Sequence, residues 1–419
     1  MKYPGDDLLT VSKSQDTSLG FFWYGFVTYL VFFVLASAET SFLSPAACQG
    51  IQIIGLVLMI MRGSSLMKFK FDSEYLKNLF IFNLLYSATI VLRGSEYDFK
   101  SLKLMFLDVT FGILPYFASL VMLLPRNIAN YKKIFHALLI LGGTYLVSVV
   151  VFYDTLHDYD RLNLLSQGLV ENVSTLLALP IGFLLLNYIY NGKTKNIYIV
   201  FVLMVTLFFA IFRARRGLIF MCLSTAMCVG MIYVISTKKK ALIIVLAVVL
   251  LGAGAAFASI MKNPPAMFGF LLDRGDTDTR TGVEVYMYAD MSPVDWVIGK
   301  GIKGQYYCPI VDNVNDAEGL GYRDNIETGY LQIILKGGII SLGLLLFMFV
   351  PAVYKGFFKS NNVLSKASSM WIFLWIVYLY PSGGIVFNMN YVLVWVAVGI
   401  CYSDKIRNLS DQTIKAYLQ

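Results

Sequence analysis

The residues with the most chemical promise are cations and carboxylates set into apolar sequence. Arg213-Ala214-Arg215-Arg216-Gly217 puts three arginines in one tight turn between two apolar runs. Guanidinium forks match phosphate oxygens two bonds at a time. Gly217 opens the next run, whose first backbone amides favour an anion. The turn reads as an anion site; the alternative is three side chains reaching out to lipid headgroups. A second group lies downstream, with Arg280, then the run Arg323-Asp324-Asn325-Ile326-Glu327-Thr328-Gly329-Tyr330, then Lys336. A carboxylate within hydrogen-bond reach of a substrate hydroxyl can take its proton. Glu327 is the first candidate for that base and Asp324 the second; the alternative for Glu327 is a capping or loop-anchoring role. Arg216 and Arg280, assisted by Arg213 or Arg215, suit the stabilisation of charge developing on a leaving group. Arg323, Asp324, Tyr330 and Lys336 are candidate substrate contacts, and Lys336 could equally pair with an acid.

The elements that must position these groups are apolar helices. The 419 residues are 58% hydrophobic and 14% charged, with a mean hydropathy of +0.67, whereas a soluble domain carries about 25% charge. Apolar runs of about 20 residues, enough to span a bilayer, recur along the whole chain. The expectation is an all-α polytopic membrane protein with about twelve transmembrane helices. They fall near 19–38, 44–61, 76–92, 104–124, 134–153, 168–190, 197–212, 217–236, 241–261, 326–354, 369–387 and 389–403. The last pair is tight, and Pro381 with Gly383-Gly384 is a candidate break. A tail over 1–18, spans 1–9 over 19–261, one large polar loop over 262–325, spans 10–12 over 326–403 and a tail over 404–419 complete the division. The opening stretch lacks a basic region and a cleavage site, so it does not read as a cleaved signal peptide.

A net charge of +8 need not mean nucleic acid, because Lys and Arg collect in cytoplasmic loops of membrane proteins. With a cytoplasmic N-terminus, twenty of the 34 basic residues fall inside, seven in short outside loops and six in the long loop. That bias places both termini in the cytoplasm and the long loop outside. The arginine turn then stands on the side where positive charge is disfavoured. Glu39, Arg93, Asp108, Glu171 and Lys336 sit near the same depth, and charge inside hydrocarbon usually faces a cavity or a partner. Together they suggest a polar cavity open to the outer leaflet, although each alone could be a helix-end residue.

The long loop mixes acids, cations and turn formers, which suggests a folded, solvated cap. Thr279 reads as the N-cap of a short helix to Asp290, ended by Ser292-Pro293, with a short apolar run over 294–298. Gly299-Lys300-Gly301-Ile302-Lys303-Gly304 has phosphate-loop spacing but no βαβ context, so its glycines read as turns. The five cysteines show no metal or disulfide spacing, and the two histidines, His136 and His157, lie far from the candidate base.

The order of these pieces is informative. Arg216-Gly217 opens a span; two spans and an outside loop follow. Arg280 stands at the start of a loop helix, Val297-Ile298-Gly299-Lys300-Gly301 forms a hydrophobic-Gly-x-Gly turn, and Glu327-Thr328-Gly329-Tyr330-Leu331 enters a span that continues Gly338-Ile339-Ile340-Ser341-Leu342-Gly343. Over 212–346 this resembles the O-antigen ligase and O-antigen polymerase superfamily of bacterial envelopes. The resemblance implies a GT-C-like architecture in the bacterial inner membrane, with the large periplasmic loop between spans 9 and 10. It implies a glycosyltransferase without nucleotide sugar, cofactor or metal. Its donor would be an oligosaccharide on undecaprenyl pyrophosphate. Membrane lipid and a chain-length regulator are further candidate partners, and nucleic acid is not expected. Ligases of the superfamily carry a His-Asn pair where this chain has Glu327-Thr328, and that departure favours a polymerase, which extends one lipid-linked repeat with another. The alternatives are a ligase-type transfer to lipid A-core and, from another class, a lipid-linked oligosaccharide flippase or exporter. No internal repeat and no paired broken helices support the latter.

Overall fold

A computed structural model describes residues 12–38, 43–94, 99–156, 164–237, 280–310, 321–381 and 384–418. The expected span over 241–261 lies outside them, as do Glu39, His157, Gly383, the Thr279 cap and the acids Asp273, Asp276, Asp278, Asp312, Asp316 and Glu318. Most of the described residues are helical, and among them a two-residue antiparallel ladder is the one strand pairing. Among the described residues, eight helices are long and apolar enough to cross a membrane. They are α1 (Lys13–Ser37), α2 (Pro45–Leu66), α3 (Glu74–Leu92), α6 (Ile128–Val151), α7 (Gly168–Leu186), α8 (Lys193–Phe212), α9 (Arg216–Ser236) and α12 (Gly329–Phe358). Three shorter apolar helices join them: α5 (Leu114–Leu123), α13 (Val363–Tyr378) and α14 (Met389–Tyr402). The chain is thus an all-α protein with the helices of a multi-pass membrane protein.

The expected single span over 104–124 is not continuous. Helix α4 (Phe99–Leu107) stops, and the Asp108 carboxylate accepts from the amides of Thr110 (2.7 Å) and Phe111 (2.9 Å). That aspartate turn competes with the helix ladder, and Pro115, at the first turn of α5, lacks the amide a continuous helix would need. The chain resumes as a helical turn and a tight 3₁₀ segment over Ala118–Leu123. Helix α7 is also irregular. Pro180 cannot donate to the carbonyl four residues back, and the helix widens into a π-turn over Ser174–Ala178 before a 3₁₀ turn at Leu179–Ile181. The Thr175 carbonyl is bonded by Asn390 Nδ2 at 2.8 Å.

At the centre stands α14. All fourteen of its residues are buried, as expected of a helix that is apolar all round. Its Trp395 packs edge-on to Phe349 of α12, and its Tyr391 stacks on Trp375 of α13. Asn388 caps α14 by accepting from the Tyr391 amide. The chain between α13 and α14 is the break that Pro381 and the glycines suggested, and α13 ends at Tyr378 rather than 387.

The polar loop supplies α10 (Arg280–Asp290), α11 (Pro293–Ile298), β1 (Tyr306–Tyr307) and β2 (Tyr322–Arg323). Ser292 and Asp295 form a reciprocal cap on α11, so the apolar run is itself helical. This unit docks on α12 where that helix kinks at Gly338 (φ 66°, ψ −178°). The amides of Lys300 and Gly301 donate to the Leu335 and Lys336 carbonyls at 2.8 and 2.9 Å, acceptors the kink leaves without helix partners. Arg93 donates to the Ile298 and Gly299 carbonyls at 2.6 and 3.0 Å. The Tyr86 hydroxyl bonds the Gly337 carbonyl at 2.8 Å. A Cβ on Gly299 would lie 2.4 Å from the Gly337 nitrogen, and one on Gly338 2.0 Å from the Val297 oxygen. The Gly-x-Gly turn is therefore a packing joint between loop and helix.

Candidate functional site

A cavity of about 490 Å³ opens where the irregular ends of several helices meet. Each wall comes from a place where a helix stops or loosens. The aspartate turn after α4 contributes Thr110 and Phe111, and the π-turn region of α7 contributes Glu171 and Thr175. The α8–α9 turn contributes Arg215 and Arg216, and the first residue of α10 is Arg280. Asn325, Glu327 and Gln332 come from the entry to α12, and Pro381 and Gly384 from the α13–α14 break.

The arginine turn is tight because α8 ends in a Schellman arrangement. The Arg215 amide donates to the Ala210 carbonyl (2.7 Å) and the Ala214 amide to Ile211 (3.0 Å). Ala214 holds the left-handed position with φ 49°, where glycine is usual. Helix α9 begins at once with Arg216, so Gly217 and Leu218, in its first turn, line the cavity with amides that have no acceptor inside their own helix.

The charges form a simple pattern. Arg215 Nη1 pairs with Glu171 Oε2 at 3.1 Å, and Arg280 Nε pairs with Glu327 Oε2 at 3.4 Å. Arg280 also donates to the Tyr380 and Pro381 carbonyls at 3.3 and 2.9 Å, which ties the α13–α14 break to the loop. Three arginines thus face two carboxylates, each carboxylate engaged by one of them. Among the described residues, the exposed Arg216 side chain has neither an ion pair nor a hydrogen bond. The cavity presents a guanidinium ready for an anion.

Glu327 is exposed to this space, with its side chain 62% accessible, and its backbone is fixed from both sides. The Ile326 amide donates to Gln332 Oε1 at 2.9 Å, and Gln332 Nε2 donates to the Asp324 carbonyl at 3.3 Å. Buried Thr328 bonds Glu284 of α10 through its hydroxyl, and the Gly329 amide donates to Leu379 at 2.7 Å. Tyr306 donates to the Asn325 carbonyl at 3.2 Å. Burial pushes this phenol well above its ordinary pKa, so it stays a donor.

The structure brings Arg215, Arg216, Arg280 and Glu327 to one cavity and places the other candidates behind its walls. Arg213 is the buried C-cap of α8. Arg323 lies in β2 opposite Tyr306. Asp324 does not line the cavity; its backbone carbonyl accepts from Gln332, which does. Tyr330 packs between the apolar cores of the bundle and the loop. Lys336 is buried, donates to the Gly304 carbonyl at 2.9 Å and holds the loop joint. It lines a space of about 10 Å³ that shares Thr110 and Gln332 with the main cavity. Of the charges expected at the outer depth, Arg93 and Lys336 serve the joint, while Glu171 faces the cavity. Gln332 and Thr175 are site residues that sequence reasoning missed. Their one signal was a polar side chain inside an otherwise apolar helix. Compared with protein-family models, with curated proteins and with solved structures, the chain matches none.

Proposed function

We propose that the chain is an O-antigen or related surface-polysaccharide polymerase of GT-C-like architecture, a metal-independent glycosyltransferase of the bacterial inner membrane. The observation that carries this reading is the cavity in which an uncommitted Arg216 stands with a second arginine and an accessible carboxylate. The donor is a glycan on undecaprenyl pyrophosphate, and the acceptor is the terminal sugar of another lipid-linked repeat. The acceptor hydroxyl oxygen attacks the anomeric carbon, and the bond from that carbon to the pyrophosphate oxygen breaks. The carrier pyrophosphate leaves with the electron pair, and the hydroxyl proton passes to Glu327. Arg216 and the first amides of α9 receive the growing negative charge. Arg280 adds positive charge and orients Glu327 through their pair.

Purified protein with two carrier-linked repeats tests the reading. Wild type is expected to form dimers and longer chains, and Glu327→Gln to bind carrier lipid but transfer nothing, since an amide cannot take the proton. Full transfer by Glu327→Gln would remove the base from the scheme. Transfer to lipid A-core in place of a second repeat would make the protein a ligase. The kinked α12 and the widened α7 also suit a transporter, whose sites form at broken helices. Movement of a labelled lipid-linked repeat across proteoliposomes without bond formation would favour that second reading.

A further inference from the structure

A second cavity, of about 310 Å³, lies at the other end of α14. Val386, just before that helix, lines the first cavity, and Ser403 and Lys405, just after it, line the second. Fourteen helical residues separate the two by about 21 Å. The second cavity is built at the end of the bundle to which the charge bias assigns the cytoplasm.

Its wall carries four cations, Lys68, Lys70, Arg126 and Lys405, against one carboxylate, Asp72. They come from three separate segments: the α2–α3 connection, the residues before α6 and those after α14. Arg126 and Asp72 are used internally. Arg126 Nη1 pairs with Asp72 Oδ2 at 3.4 Å, Nη2 donates to the Lys70 carbonyl, and the guanidinium lies over the Phe71 ring, 5.8 Å from its centre. The Lys68 amide donates to the Leu123 carbonyl at 2.8 Å, which joins the first two segments. The scaffold is therefore fixed, while the side chains of Lys68, Lys70 and Lys405 have no ion pair or hydrogen bond among the described residues. Three exposed, uncommitted lysines on the lining of one concavity offer a single anion several charged donors at once. Lysines scattered singly along loops would serve topology equally well; topology alone does not require them to converge.

We propose that this second cavity binds a phosphate-bearing anion, carried either on an anionic lipid headgroup or on a soluble diphosphate. Basic pockets between helix ends on the cytoplasmic side suit such headgroups, and three positive charges in excess suit a ligand with two phosphates. The site is independent of the sugar-transfer reading.

The test uses full-length protein and two probes. Cardiolipin retention from phosphatidylcholine nanodiscs is read by native mass spectrometry, and pyrophosphate binding by calorimetry. The combined variant Lys68→Ala, Lys70→Ala, Lys405→Ala is compared with Lys193→Ala, Lys195→Ala, Lys359→Ala, which removes three exposed lysines that do not line the cavity. The first is expected to lose affinity by about tenfold or more, the second to bind as wild type. Loss confined to cardiolipin assigns the lipid source, and loss confined to pyrophosphate the soluble one. Replacing the same three lysines by arginine is expected to keep binding, which guards against a variant that merely misfolds. Equal binding by the two alanine variants, or no binding of either probe by wild type, overturns the proposal.

Discussion

Arg216 is distinguished from Arg215 and Arg280 by what it does not touch. Each neighbour already holds a carboxylate, so its charge is partly neutralised and its donors partly filled. Arg216 can give all its donors to a ligand. Arg216→Ala is therefore expected to cost about 2–4 kcal/mol of transition-state stabilisation, the range for losing one charge-stabilising donor. A transfer assay at saturating donor should read that as a fall of two orders or so in turnover. Arg216→Lys keeps the charge but loses the fork and should fall between wild type and alanine. Wild-type turnover in Arg216→Ala, at equal protein level, would remove Arg216 from the site. The arginine turn was legible in the sequence, because three cations in a two-helix turn stand out against apolar flanks. The pairings were not. Glu171 reaches Arg215 and Arg280 reaches Glu327 only through tertiary contacts, and sequence spacing carries no distance across 47 residues.

Two backbone features at the scale of elements hold the site in place. The first is the joint at Gly299 and Gly338, both with φ near +70° and ψ near 180°, a region open almost only to glycine. Gly299→Ala and Gly338→Ala should each destabilise by about 1–3 kcal/mol or more, from overpacking and from strained backbone. Gly343→Ala, in the same helix with nothing nearer than 3.9 Å, should be neutral or slightly stabilising. Thermal unfolding of the three purified variants checks the contrast, and equal midpoints would show that the joint contributes nothing. The second feature is Ala214 in the left-handed position. Relieving that strain, Ala214→Gly should raise stability by about 1 kcal/mol; a lower unfolding midpoint would show that the Ala214 methyl, buried at 2% exposure, matters more for packing. The kink in α12 could be read from Lys336-Gly337-Gly338, since paired glycines loosen a helix. The break between α4 and α5 went unread because hydropathy averages over Asp108, Gly112 and Pro115, although each of them disfavours a continuous helix.

At the scale of the whole molecule, the first cavity and the arginine turn gather at one end of the bundle and the second cavity at the other. The apolar composition made the membrane class legible; which helices cross and which stay inside was not, because α14 is as apolar as any span yet is fully enclosed. Positive charge divides the ends as expected if the first cavity faces outward. This can be tested by labelling. The native cysteines Cys48, Cys222, Cys228, Cys308 and Cys401 are all buried, so an impermeant thiol reagent should find little background on folded protein. Cys308, although in the polar loop, is fully buried and cannot report on sidedness. Val294→Cys on α11 and Tyr417→Cys near the C-terminus replace side chains 62% and 46% exposed, so both report. In intact cells with a permeabilised outer envelope, Val294→Cys should react at once. Tyr417→Cys should react only after the inner membrane is breached. The reverse order would turn the protein over, put the Arg216 cavity in the cytoplasm and exclude a reaction at the periplasmic face. Simultaneous reaction of both would place α11 and the C-terminus on one side and overturn the expectation of three crossings between them.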